Sequence, residues 1–154
     1  MIEEFKNLTQ EEVEVMIKTP VLVSILIAGA DDDIDRNEIN KAVSLSKSKQ
    51  TGARPDLIEY YRVTGKDFET RLNAAINSYP SDAAERNPLI IAELEKLNHI
   101  LPKLDPNFAA EFYFSIRDAA KKIAESSGGL LGYMAIGYEE SKLIDLHMIK
   151  NPAQ

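Results

Sequence analysis

The sequence predicts an all-α fold, a single-domain bundle of about seven or eight helices over residues 1–154. Apolar residues recur three and four positions apart along most of the chain, which is the period of an amphipathic helix. Candidate N-cap residues precede several of these segments, and prolines and glycines separate them. No segment shows the two-residue alternation of a half-buried strand. An apolar content of 44% is typical of a globular domain with one buried core.

The N-terminal part predicts a short helix that is followed by a buried one. Thr9 and Glu12 have the spacing of a capping box, in which each side chain bonds a free N–H group of the first turn. Pro20 is expected at the start of the next helix, where its missing N–H does no harm. The segment Val21–Ala28 is apolar on every side, so it should be the central helix of the bundle.

The next helix begins after an acidic run. Asp35 and Glu38 have the spacing of a second capping box, and Gly52 and Pro55 are expected to end this helix. Its predicted inward positions are Ile39, Ala42 and Val43.

The rest of the chain predicts further amphipathic helices. Pro80 and Pro102 interrupt the pattern, and Asp105 with Pro106 has the form of an N-cap followed by a first-turn proline. A last helix is expected from about Glu139 to Ile149. The apolar stripes are Leu57, Ile58 and Tyr61; Phe68, Leu72, Ala75, Ile76 and Tyr79; Ile90, Leu94, Leu97 and Leu101; and Phe108, Phe112, Ile116, Ala120 and Ile123.

The most unusual feature is the acidic run at the junction after the buried helix. Asp31, Asp32, Asp33 and Asp35 place four carboxylates within five residues, and Glu38 follows shortly after. Asp35 and Glu38 are explained as helix caps, because a helix N-terminus attracts negative charge. The first three aspartates follow a helix C-terminus, where negative charge is mildly unfavourable. Their negative charge must therefore be offset by a cation or a basic partner, or be solvated by water at the protein surface.

A hard divalent cation, calcium or magnesium, would offset this charge, because such ions bind clustered carboxylate oxygens. Asp31 and Asp33 would supply ligand oxygens, and Asp35 and Glu38 would fix the turn. An EF-hand does not fit, since Arg36 stands at the loop position that requires glycine and Ala42 at the position of the bidentate glutamate. The candidate metal site comprises Asp31, Asp33, Asp35, Glu38 and Glu140.

A second junction of the chain is similar to the first. Ile34 and Glu38 stand four residues apart in the first, as Ile136 and Glu140 do in the second, which carries about six extra residues. The match predicts an internal pseudo-repeat with halves of about 1–80 and 81–154. Coincidence is the alternative, because all helix–loop–helix units need a buried apolar residue and a cap.

The first junction resembles the Ala-Asp-Gly-x-Ile-x-x-x-Glu signature of the tellurite-resistance TerB-like domains. Ala30, Asp31, Ile34 and Glu38 match the signature, and Asp32 replaces its glycine. The segment Ser127-Gly128-Gly129-Leu130-Leu131-Gly132, ending in Glu139-Glu140, is similar to the second junction of bacterial members. The resemblance covers nearly the whole chain. It implies a two-half helical domain, a role in tellurite and other stress responses, divalent-cation binding through acidic junction residues, and membrane-associated complexes.

Composition excludes several classes of function. A net charge of −7 argues against nucleic acid as a partner, because backbone phosphates require a basic face. The chain has no cysteine, which excludes disulfides, thiolate metal sites and thiol catalysis. The apolar run Val21–Ala30 is ten residues long, whereas a transmembrane helix needs roughly 20. With no basic signal-peptide region at the N-terminus, a cytoplasmic location is expected.

These observations predict a non-enzymatic TerB-like domain that binds a divalent cation or a partner through the acidic junction. The alternative is a metal-free protein-interaction module that combines the acidic patch with the apolar loop Leu130–Ile136. Contact with a membrane-associated complex and self-association are both left open. No catalytic constellation is readable, and a small hydrolase would need a pocket in which acidic and polar groups converge.

Overall fold

The structure is a computed structural model that describes residues 2–30, 33–126 and 143–153. These residues contain helices and no strand, which confirms the all-α prediction. Six helices have at least 11 residues, and a single-turn helix continues the fifth of them after Lys96. The helices are α1 (Gln10–Ala28), α2 (Arg36–Gly52), α3 (Pro55–Gly65), α4 (Phe68–Ser78), α5 (Ala83–Glu95), the single turn α6 (Leu97–Ile100) and α7 (Pro106–Ser126).

The second half of α1 is the centre of the bundle, as its composition predicts. Every residue of Val21–Ala28 is buried, and α1 packs against α7, α2 and α5. The helix α2 packs mainly against α3 and α7. Residues from all seven helices join one apolar cluster. No helix in the described part of the chain combines the length and the apolar character needed to cross a bilayer.

The predicted helix break at Pro20 is wrong, because α1 continues through this residue. A proline inside a helix leaves the carbonyl four residues earlier without its N–H donor. Here that carbonyl belongs to Met16, and the Tyr60 hydroxyl donates a hydrogen bond to it at 2.7 Å. The Thr9–Glu12 capping box at the start of α1 is confirmed in both directions.

The C-terminal segment also differs from the prediction. Residues 143–144 are helical, but residues 145–148 form turns, so a helix that extends to Ile149 is wrong. Leu146 is fully buried and has a positive φ of 47°. Asn98 holds the segment, since its amide donates to the Met148 carbonyl at 2.9 Å and accepts from the Lys150 N–H at 2.7 Å. These long-range contacts override the local helical pattern.

The second junction of the predicted pseudo-repeat lies in residues 127–142, outside the described residues. The pseudo-repeat and its two halves therefore stay a prediction.

Candidate functional site

Backbone hydrogen bonds hold the two ends of the junction between α1 and α2 together. The N–H of Gly29, the residue that ends α1, donates to the Ile25 carbonyl at 2.8 Å. The Asp35 N–H then returns to the Ala28 carbonyl at 2.9 Å, which brings the start of α2 against the end of α1. Ile34 is half-buried and packs against the core.

A buried arginine from α5 caps the C-terminal end of α1. The Arg86 side chain leaves only 1% of its surface exposed, and its Nη2 donates to the Gly29 carbonyl at 2.6 Å. Its Nη1 donates to the Ser81 carbonyl at 3.0 Å and to the Pro80 carbonyl at 3.4 Å. A positive charge at a helix C-terminus is favourable, because the helix dipole is negative there. Arg86 therefore fixes the junction to α5 and stabilises the end of α1.

The neighbouring Asn87 extends this attachment. Its Nδ2 donates to the Ala30 carbonyl at 3.4 Å, one residue further along the junction. Both contacts join residues that lie 57 positions apart in the sequence. The roles of Arg86 and Asn87 are not visible in the sequence, because no local pattern connects a polar pair in one helix to the end of another.

Gly29 is the residue that makes the arginine contact possible. A Cβ atom at this position would lie 2.5 Å from Nη2 of Arg86 and 3.0 Å from the Ile25 carbonyl oxygen. Carbon and nitrogen atoms do not approach so closely, and three hydrogen bonds restrain the guanidinium. Any larger residue would displace Arg86 from the end of α1.

The predicted site residues occupy three different environments. Asp33 is exposed on the turn. Asp35 is half-buried and caps α2, with its Oδ1 accepting from the Glu38 N–H at 3.0 Å. Glu38 is buried, with 4% of its surface exposed. Two further predicted ligands, Asp31 and Glu140, lie outside the described residues.

The helix cap explains Asp35 structurally, as its position in the sequence suggests. Among residues 2–30, 33–126 and 143–153, no three His, Cys, Asp or Glu side chains converge in a way that could hold a metal ion. Of the predicted set, Asp33 is the one described residue that is exposed. Any cation at the junction would have to combine it with Asp31, Asp32 or Glu140.

Comparisons with known proteins assign no family and no function to the chain. Protein-family models, curated protein sequences and solved structures give no match to the chain. The resemblance to TerB-like domains accordingly rests on the sequence alone, and the described part of it is the set of signature residues in the first junction. Of these, Ile34 packs against the core and Glu38 is buried in the first turn of α2.

Proposed function

We propose that the protein is a non-enzymatic, TerB-like binding domain of the stress- and tellurite-resistance type. Its acidic junction binds a divalent cation, calcium or magnesium, or a basic partner. The observation that carries this proposal is the way in which the turn is held. The Asp35–Ala28 backbone bond closes the turn, and Arg86 and Asn87 attach its first residues to α5.

The fixed ends of the junction favour binding, because less conformational entropy is lost when a ligand arrives than with free ends. Asp33 is an exposed residue of this junction, which places an acidic residue at the protein surface. Two further aspartates, Asp31 and Asp32, precede it directly in the sequence. Like charges at this spacing repel one another, and a bound cation removes the repulsion.

The cation version is tested by thermal unfolding in calcium, in magnesium and in EDTA. A ligand at about one hundred times its Kd raises the unfolding midpoint by roughly 5–10 °C for a chain of this size. We expect this rise in the wild type and its loss in Asp31→Asn/Asp33→Asn. Glu3→Gln/Glu4→Gln, which removes the same charge far along the sequence from the junction, should keep it. A wild-type midpoint that millimolar cation does not move would rule out the metal site.

The partner version is favoured by one observation, the position of Arg86. Its guanidinium already supplies positive charge at the C-terminus of α1, so the junction folds without an added cation. The acidic residues of the junction are then the proposed contact for a basic protein surface. In this second candidate the protein is a metal-free interaction module, with Leu130–Ile136, which lies outside the described residues, as an apolar contact.

A lysine-rich peptide distinguishes the two versions. For the metal-free module, we expect titration calorimetry to show binding that persists in EDTA and falls with rising salt. The binding should weaken in Asp31→Asn/Asp33→Asn. Leu131→Ser/Met134→Ser should abolish capture of a partner that uses the apolar loop. Peptide binding that disappears in EDTA would exclude the metal-free version.

A further inference from the structure

A partly buried lysine in the last turn of α2 forms a cluster that does not involve the acidic junction. Lys49 leaves only 14% of its side chain exposed. The other lysines that form ion pairs in the described residues leave 46–68% of the side chain exposed. Burial disfavours an ammonium ion unless hydrogen bonds and counter-charges replace water. The surroundings of Lys49 therefore decide its chemical character.

The direct neighbours of the Lys49 amine are hydroxyl groups. Its Nζ donates to Ser115 Oγ of α7 at 3.2 Å, and Ser115 Oγ shares a hydrogen bond of 2.5 Å with the Tyr61 hydroxyl of α3. The same Nζ lies 5.2 Å from the centre of the Tyr61 ring. Three helices thus converge on one amine and two hydroxyls.

The Lys49 amine shares its counter-ion with a second lysine. Asp118 Oδ2 is 3.9 Å from the Lys49 Nζ but only 3.0 Å from the Nζ of Lys122, so one carboxylate serves two ammonium groups. Burial lowers the pKa of Lys49, and the nearby Lys122 lowers it further, while Asp118 acts in the opposite direction. A larger fraction of unprotonated amine at neutral pH makes a lysine a better nucleophile.

This cluster opens into a surface groove between α2, α7 and the start of α3. The groove has a volume of about 380 Å³, which is within the usual range for small-ligand sites. Three cationic side chains and one carboxylate line it, although the whole chain carries a net charge of −7. The cationic residues are Lys49, Arg54 and Lys122, and the apolar lining includes Leu45, Leu57 and the half-exposed Phe114.

We propose that Lys49 is a nucleophilic amine that forms an imine with a small anionic aldehyde or ketone bound in this groove. The amine nitrogen attacks the carbonyl carbon, and one amine proton moves to the carbonyl oxygen to give a carbinolamine. Loss of that hydroxyl together with the second amine proton releases water and leaves the carbon–nitrogen double bond. The step needs no oxidant or reductant.

The neighbouring groups have separate roles in this step. Arg54 and Lys122 pair with the anionic group of the ligand, and the apolar lining contacts its carbon atoms. Ser115 is a positioning residue, because its hydroxyl accepts a hydrogen bond from the Lys49 amine and directs the nitrogen lone pair. Tyr61 in turn orients Ser115. This inference is independent of the function proposed for the acidic junction.

The test uses glyoxylate, a small anionic aldehyde, with sodium cyanoborohydride to trap imines at neutral pH. Peptide mass spectrometry then measures the rate of adduct formation at each lysine. We expect Lys49 to react several-fold faster than Lys47, an exposed lysine on the same helix, even though Lys49 is less accessible. Neutral propionaldehyde should show a smaller preference for Lys49, because it shares the benefit of the lowered pKa but cannot pair with Arg54 and Lys122. These comparisons need no variant, so folding defects cannot confuse them.

Variants assign the roles within the cluster. Lys49→Arg should abolish the fast adduct, whereas Lys47→Arg should leave it unchanged. Ser115→Ala should lower the rate that adduct formation at Lys49 reaches at high pH, because the amine is no longer positioned. It should also shift the rate profile to lower pH, because the ammonium form loses a hydrogen-bond acceptor. Ser115→Thr should restore both. Circular dichroism verifies that each variant is folded. The proposal would be overturned if adduct formation followed exposure alone, with Lys49 no faster than Lys47. It would also be overturned if glyoxylate and propionaldehyde gave the same ratio of the Lys49 rate to the Lys47 rate.

Discussion

At the scale of single residues, the Tyr60 hydroxyl is what permits a proline inside the most buried helix. Pro20 cannot donate to the Met16 carbonyl, and Tyr60 donates to it instead from α3. We expect Tyr60→Phe to lower the free energy of unfolding by about 1–3 kcal/mol, because it leaves a buried carbonyl without a donor. Urea unfolding followed by circular dichroism measures this loss.

A double-mutant cycle isolates this hydrogen bond. Pro20→Ala restores an N–H group to the helix, which can donate to the Met16 carbonyl in the ordinary way. In this background Tyr60→Phe should cost clearly less than in the wild type, since the carbonyl keeps a donor. Equal costs in both backgrounds would show that the effect of Tyr60→Phe comes from packing alone.

The residue scale also separates what the sequence can predict from what it cannot. The caps at Thr9, Asp35 and Asp105 were readable, because each accepts hydrogen bonds from N–H groups two or three positions away. The break predicted at Pro20 was wrong because the group that compensates for the proline is distant in the sequence. Its compensation comes from Tyr60, a residue 44 positions from the carbonyl that it satisfies.

At the scale of elements, Arg86 makes α5 the anchor of the acidic junction. Arg86→Met keeps much of the side-chain volume but removes the donors to the carbonyls of Gly29, Pro80 and Ser81. We expect the free energy of unfolding to fall by about 3 kcal/mol or more, because three carbonyls lose their donor. Asn87→Ala, which removes one long contact to the same junction, should cost less. Denaturant unfolding of the two variants gives the comparison.

The close contact at Gly29 gives an independent test of this anchor. Gly29→Ala should destabilise the protein by about 1–3 kcal/mol, because its methyl group collides with the guanidinium of Arg86. In the Arg86→Met background the same substitution should cost less, since the shorter and more flexible side chain can move aside. Additive costs would mean that the collision with the Ile25 carbonyl dominates.

At the scale of elements, helical periodicity predicts which face of a helix is buried. The stripe Phe108, Phe112, Ile116, Ala120 and Ile123 is buried throughout, because a 3.6-residue period defines one face of α7. Periodicity does not tell which helix covers that face. The candidate site depends on such pairings: the acidic run marked the junction, but its anchor on α5 and the Lys49 cluster both arise from contacts between distant elements.

At the scale of the whole molecule, the buried tyrosines make stability depend on pH in the alkaline range. Burial raises the pKa of Tyr61 to about 12, and burial also raises the pKa of Tyr60 well above its ordinary value. The unfolded chain releases these phenolic protons near pH 10, whereas the folded chain retains them. Their contribution to stability is therefore fully present below about pH 10 and is lost as the pH rises through the folded-state values.

Alkaline titration tests this coupling between ionisation and the fold. We expect a first, shallow rise in phenolate absorbance from the less buried tyrosines, with helicity unchanged. A second, steep rise should coincide with the loss of helical circular dichroism, because Tyr60 and Tyr61 ionise readily only when the bundle opens. Tyr61→Phe removes one of these protons, so its stability should fall less steeply with pH above 10 than that of the wild type. Complete ionisation of all six tyrosines while the helical signal is intact would contradict the burial of this pair.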